Sequence, residues 1–203
     1  MRAAELGLVG TSEAEAATCA HMLQHNARLL VLYDAVDARV NAVNGASDAT
    51  GAEWLCRRGC DTCCHRLAEV PSITANEWQL LASAIEGVPE HHARFETRMG
   101  ELAARVYGAD KGPVVCPFLA LDDGEVRPGS CLVYEGRPAA CRTYGYYTER
   151  GDVLGCSELL VQSEALPVTW GNHQAVLREL DALCTDVAPR RSIVAWWSER
   201  APG

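Results

Sequence analysis

The chain has 203 residues, of which 48% are hydrophobic and 22% charged, with a formal net charge of −9. That length can bury a sizeable core without covalent staples. The negative balance argues against a nucleic-acid partner, which needs clustered Lys and Arg, and opposes attraction to an anionic membrane surface. No apolar run approaches the length of a membrane span, and Met1 to Ala17 has no apolar core of the kind a secretory signal carries. A cytoplasmic location is the expectation. Thiols stay reduced there, so the 10 cysteines read as metal ligands or redox groups and not as a disulfide framework.

The pattern predicts a mainly α fold: a helical domain around a small, irregular, cysteine-rich centre with one short hairpin. In chain order, Ser12 and Glu15 fit a capping box that opens a long helix. Met22, Leu29, Val36 and Val43 recur every seven residues, with Tyr33 and Val40 on the same face. Gly45 and Ala46-Ser47-Asp48 are expected to end it. This stripe is expected to pack on its own domain, the alternative being a homodimer or a protein partner held through the helix.

Thr74 and Glu77 form a second capping box, opening a helix to about Ile85. Pro89 starts another helix to Tyr107, with Gly108 placed to stop it. Val114 to Tyr134 reads as a small hairpin or a pair of short extended segments around the turn Asp122-Asp123-Gly124. Pro138 to Arg142 reads as one helical turn. A last amphipathic helix is expected from Trp170 to Cys184, with Val176, Leu177, Leu180 and Leu183 on one side. The expected division is residues 1–50 as the N-terminal helix, 51–160 as the cysteine-cluster domain and 161–203 as helices completing it.

Chemistry concentrates in the cysteines. Cys56-x3-Cys60-x2-Cys63-Cys64 places four thiols in nine residues, a spacing that lets sulfurs converge on one metal or one iron–sulfur cube. Cys63 and Cys64 are adjacent, and on a helix their side chains diverge by about 100°. Two neighbouring sites, one cluster with several metals, or one ligand plus one free thiol all fit. A second group is spread out: Cys116 before Pro117-Phe118-Leu119, Cys131 before Leu132-Val133-Tyr134, Cys141 between Arg137-Pro138 and Arg142, and Cys156. Arg137 and Arg142 would either lower nearby thiol pKa values and balance thiolate charge, or sit in surface ion pairs.

These motifs, in this order, resemble the CxxCxxCC cysteine-cluster family, also called YkgJ-type, whose members are described as zinc- or iron-chelating domains. The resemblance runs from Cys56 to Cys156. It departs from the family pattern at Asp61, where Gly is frequent after the second cysteine, and at Gly145, where Pro is frequent after the final Cys-Arg. The resemblance implies a metal centre on Cys56, Cys60, Cys63, Cys64, Cys116, Cys131, Cys141 and Cys156. It implies an iron–sulfur cluster, of the 4Fe-4S type, or iron, with zinc as the alternative. A flagellin lysine methylase that resembles the family carries an iron–sulfur cluster, so a methylase-like activity is one implied role.

Other residues read more plainly. Cys19 and Cys184 stand alone on predicted helices and read as small buried hydrophobes. His21 and His25, spaced i, i+4, read as solvated before they read as ligands. His65 follows Cys64 as a candidate ligand or supporting group, while His91 and His92 read as exposed. Tyr144, Tyr146 and Tyr147 either line a pocket beside the metal or pack their loop on the core. Trp196 and Trp197 are expected to seal a core edge.

Two function classes stay open. One is a metal-centre protein for electron transfer, redox sensing or metal handling. The other is a cluster-dependent enzyme or enzyme component. A structural zinc protein with two four-cysteine sites is a third reading. The spacing Cys56-x3-Cys60-x2-Cys63 also occurs in radical S-adenosylmethionine enzymes, but those use a large βα barrel, and this chain reads as helices.

Overall fold

The computed structural model describes residues 13–67, 69–108, 114–120, 130–166, 168–183 and 189–200, with the side chains of 13–25, 90 and 130 outside the description. Ser12, the turn Asp122-Asp123-Gly124, Cys184 and the side chains of Cys19, His21, Met22 and His25 therefore lie outside the described residues.

The seven-residue recurrence produces a first helix, α1 (Glu13–Ala49), about 55 Å long at 1.5 Å per residue. Leu29, Tyr33, Val36, Val40 and Val43 are buried on one face, as the stripe requires. They pack on Trp54, Leu159, Val176 and Leu180 of the same chain. Leu30 and Val31 face the other way and are exposed. The helix does not stop at Gly45. It continues to Ala49, because Ser47 is buried and its hydroxyl donates to the Ala52 carbonyl at 2.8 Å, pinning the last turn. Gly51, at φ 78°, then reverses the chain in the left-handed region that glycine reaches without steric cost.

The other helices among the described residues are α2 (Thr62–His65), α3 (Ala75–Glu86), α4 (Pro89–Tyr107), α5 (Ala139–Thr143), α6 (Ser157–Glu164), α7 (His173–Leu183) and α8 (Ile193–Glu199). The fold is mainly α. The Thr74–Glu77 capping box is formed in both directions, Pro89 sits in the first turn of α4, and Gly108 follows its last residue. The helix expected to be last is α7, with Val176, Leu180 and Leu183 buried. It is not the last, since Arg191–Ser192 folds back into a strand and Ser192 caps α8. None of the described helices is long and apolar enough to cross a membrane.

The strands are short. β2 (Leu119–Ala120) and β3 (Ser130–Cys131) pair antiparallel, with Leu119 opposite Cys131, which is the expected hairpin. Two further sheets were not legible in the pattern. β1 (Ser72–Ile73) pairs with β7 (Arg191–Ser192). β4 (Tyr147–Glu149) is flanked by β5 (Asp152–Val153), antiparallel, and β6 (Gly171–Asn172), parallel. Strands of two or three residues carry no alternation long enough to read.

Two apolar clusters result. One is built on α1, α7 and Leu159 of α6. The other joins Leu81 and Ile85 of α3, Phe95 and Met99 of α4, and Ile193 and Val194 of α8. Trp196 and Trp197 close the edge of the second cluster, their indole N–H groups donating to the Ile73 carbonyl at 2.9 Å and to Glu96 at 3.1 Å.

Candidate metal centre

The cysteine-bearing segments meet between the two clusters. Trp54, fully buried, fixes the approach to Cys56: its indole N–H donates to the Gly145 carbonyl at 3.3 Å and its ring lies 5.8 Å from that of Trp170. The Cys56 thiol donates to the Tyr144 carbonyl at 3.4 Å. Gly145 has φ 87°, and a Cβ there would stand 2.7 Å from the Cβ of Cys56, so this position accepts glycine alone.

Cys63 and Cys64 ride on the single turn of α2. The Cys116 N–H donates to the Cys64 carbonyl at 2.7 Å, bringing the third segment alongside, and Leu67 N–H donates to Val114 at 2.8 Å. The β2–β3 pairing carries Cys131 in. Cys141 lies on α5, whose first turn is closed by its N–H on the Pro138 carbonyl at 2.9 Å. Cys156 occupies the N-cap position of α6.

All eight are free thiols. Cys56, Cys60, Cys63, Cys64, Cys116, Cys131 and Cys141 line a cavity of about 90 Å³. An adjoining, wider cavity of about 300 Å³ is lined by Cys56, Cys60, Cys63 and Cys156. The eight thiols line these two spaces without closing on a point, and among the described residues no group of three or more His, Cys, Asp or Glu side chains has the arrangement of a metal-ion site.

The thiols perturb one another. The Cys63 thiol is raised above its ordinary value, first by a hydrogen bond with the Cys64 thiol and then by burial. That of Cys64 is raised first by its hydrogen bond with Cys116. The adjacent pair therefore lies close enough for each thiol to act on the other, despite the divergence expected of neighbours on a helix. Burial pushes the Cys56 thiol up to about 12, helped by Cys60 and Cys63 and opposed by Arg137. Burial likewise raises Cys131, again opposed by Arg137. So placed, Cys56, Cys63, Cys64 and Cys131 keep their protons at neutral pH, and a metal must displace them.

Arg137 and Arg142 divide the two roles considered for them. Arg137 lines the smaller cavity, with its guanidinium 3.9 Å over the Tyr134 ring. Its Nε is buried and has no hydrogen-bond partner in the protein. An orphaned cationic donor in a cavity lined by seven thiols fits an anionic occupant, which a metal held by several thiolates would be. Arg142 points away from the thiols. It is buried, donates to the Arg137 carbonyl at 2.9 Å, and also pairs with the Glu135 carbonyl and the Asp37 carboxylate. It is a buried tie between α1 and the α5 segment, not a surface ion pair.

The remaining candidates also sort. His65 is exposed, bonded to Asp61 at 3.0 Å, and lines neither cavity. Among the tyrosines, Tyr144 lines both cavities and Tyr146 the smaller one, whereas Tyr147 is buried in the α1 cluster. His92 is exposed and His91 partly covered. Sequence reasoning passed over Trp54 and the second role of Glu77. A large aromatic two residues before the first cysteine was the available signal for Trp54. For Glu77 the capping box hid the rest.

Comparison with known families gives one match: the CxxCxxCC model, described as a putative zinc- or iron-chelating domain, over residues 55–164. No curated protein and no solved structure matches the chain.

Proposed function

We propose, since this chain belongs to the CxxCxxCC family, that it is a metal-binding protein whose centre is an iron–sulfur cluster or iron held by Cys56, Cys60, Cys63, Cys64, Cys116, Cys131, Cys141 and Cys156. The observation that carries this reading is the lining of two adjoining cavities by eight free thiols drawn from separate segments. Thiolates suit iron–sulfur centres and zinc above other metals. Such a centre, once bound, supplies one-electron chemistry or Lewis acidity to a redox, metal-handling or cluster-dependent modifying role. The chain's own residues do the rest. Arg137 balances thiolate charge, Tyr144 and Tyr146 wall the thiols, and the buried residues Phe118, Val133 and Leu81 limit water on the inner side.

Zinc is the second reading, and the brevity of the strands favours it. Among the described residues β2 and β3 pair two residues each, so there the segments bearing Cys116 and Cys131 gain little from backbone pairing. A metal staple would supply the missing stability, on the order of 10 kcal/mol for a full structural zinc site. Anaerobic purification with metal analysis and a visible spectrum separates the two. Iron with acid-labile sulfide and a brown colour supports the cluster, and colourless protein with zinc supports the staple. Protein that holds neither metal, and takes up neither on reconstitution, defeats both.

A further inference from the structure

The eight thiols are not evenly distributed. Cys156 lines only the wider cavity, which it shares with Cys56, Cys60 and Cys63. Cys64, Cys116, Cys131 and Cys141 line only the smaller one. The first three of the wider set also face the smaller cavity, so the two spaces share a wall. The apolar backing follows the same division. Cys56 and Cys156 pack on the α1 cluster, whereas Cys116 and Cys131 pack on the α3–α4–α8 cluster.

Neighbour relations agree. Cys56 stands beside Cys60, Cys63 and Cys156, and Cys64 beside Cys116 and Cys131. Cys63 is the shared wall, since it also neighbours Cys64, Cys131 and Cys141. The Cys63–Cys64 peptide gives one thiol to each set.

Access differs as well. The wider cavity is rimmed by the exposed residues Cys60, Thr62, Glu158 and Leu55. The smaller one is floored by Leu81, Phe118, Val133 and Ile193, each no more than 4% exposed. The difference lies in the walls and not in the thiols, since Cys141 of the inner set and Cys60 of the outer set are both exposed.

We propose that the protein carries two four-thiolate metal sites of unequal access: a deep site on Cys64, Cys116, Cys131 and Cys141 that holds its metal, and a rim site on Cys56, Cys60, Cys63 and Cys156 that exchanges it. The inference rests on the metal-binding reading above and specifies how that centre divides. The rim site is the one a soluble chelator or a thiol-bearing acceptor reaches. The deep site fastens the β2–β3 hairpin to α2 and α5.

Native mass spectrometry of the full chain titrated with zinc(II), followed by timed chelator challenge, tests this. Wild-type protein should load in two steps and release about half its metal at least tenfold faster than the rest, as expected for a closed and an open thiolate site. Cys156→Ser should lose the fast fraction alone and Cys131→Ser the slow one. Loading and release in one cooperative step would overturn the division while leaving the metal-binding reading intact. So would a folded Cys156→Ser variant that retains no metal. A wild-type chain that binds no metal overturns both. The wild-type release profile decides the matter even if Cys131→Ser does not fold.

Discussion

The Tyr33 hydroxyl donates to the Glu77 carboxylate at 3.1 Å, tying α1 to α3 through a group that is 1% exposed. The same carboxylate accepts from the Ala139 N–H at 2.9 Å and the Thr74 N–H at 2.9 Å. It thus holds the first turn of α5, two residues before Cys141. Glu77→Ala would strand these donors in the core and should cost about 3 kcal/mol, because unpaired buried polar groups carry their full desolvation penalty. Tyr33→Phe removes one donor only and should cost about 1 kcal/mol. Urea unfolding measures both, and metal titration should show weaker loading for Glu77→Ala alone.

At Gly145 the backbone and the thiol site constrain each other. Alanine there would meet the Cys56 side chain and force a left-handed φ on a residue with a Cβ. Gly145→Ala should destabilise by about 1–3 kcal/mol from backbone strain and displace Cys56, so metal content should fall. Gly151→Ala is the control, since φ there is 98° but nothing lies within 4 Å of the added Cβ. If both variants bind metal as the wild type does, the close approach of Gly145 to Cys56 has no bearing on the site.

Local signals were the legible ones. The Thr74–Glu77 box, the Pro89 start and the heptad stripe each act over a few residues, and each appears where its pattern placed it. The cysteine segments were legible because their residue types have few other uses in such density. What the pattern hid depends on distant partners. Ser47 extends α1 past Gly45 through a bond to Ala52. Arg142 finds Asp37 across 105 positions. β4 pairs in parallel with a strand of two residues more than 20 positions on. The mutual influence of the Cys63 and Cys64 thiols was also beyond reach, because helical divergence alone argues against it.

The thiols make stability depend on pH with opposite signs in the two states. Burial raises Cys56 from 9.0 to about 12, and Cys131 and Cys156 shift the same way, also chiefly through burial. A raised folded-state pKa stabilises the fold below the unfolded value and loses that contribution as pH climbs through the folded one. The apoprotein should therefore weaken as pH rises from about 9 toward 12. Metal loading expels thiol protons, so apparent affinity should instead rise with pH. Thermal melts of apo and zinc-loaded protein between about pH 7 and 10 should diverge. Parallel curves would mean that the metal does not displace these protons.

Arg142 is the last point at which the long helix governs the site. Its guanidinium lies 4.2 Å over the Tyr33 ring and, through its bonds to the Arg137 and Glu135 carbonyls and to Asp37, fixes the turn that presents Arg137 and Cys141. Lysine carries one compact ammonium and cannot span three acceptors as the planar fork does. Arg142→Lys should cost about 3 kcal/mol, the range for disrupting a buried, hydrogen-bonded charge pair, and should lower metal content as the Cys141 turn loosens. Asp37→Asn keeps an oxygen acceptor and leaves both carbonyl bonds in place. It removes the carboxylate that faces a buried cation, so it should cost about 3 kcal/mol while leaving metal content unchanged. Melting temperature and metal stoichiometry, measured together, separate these effects. Should Arg142→Lys melt and load like the wild type, the two carbonyls and Asp37 do not depend on the guanidinium, and α1 does not act on the thiol site through this residue.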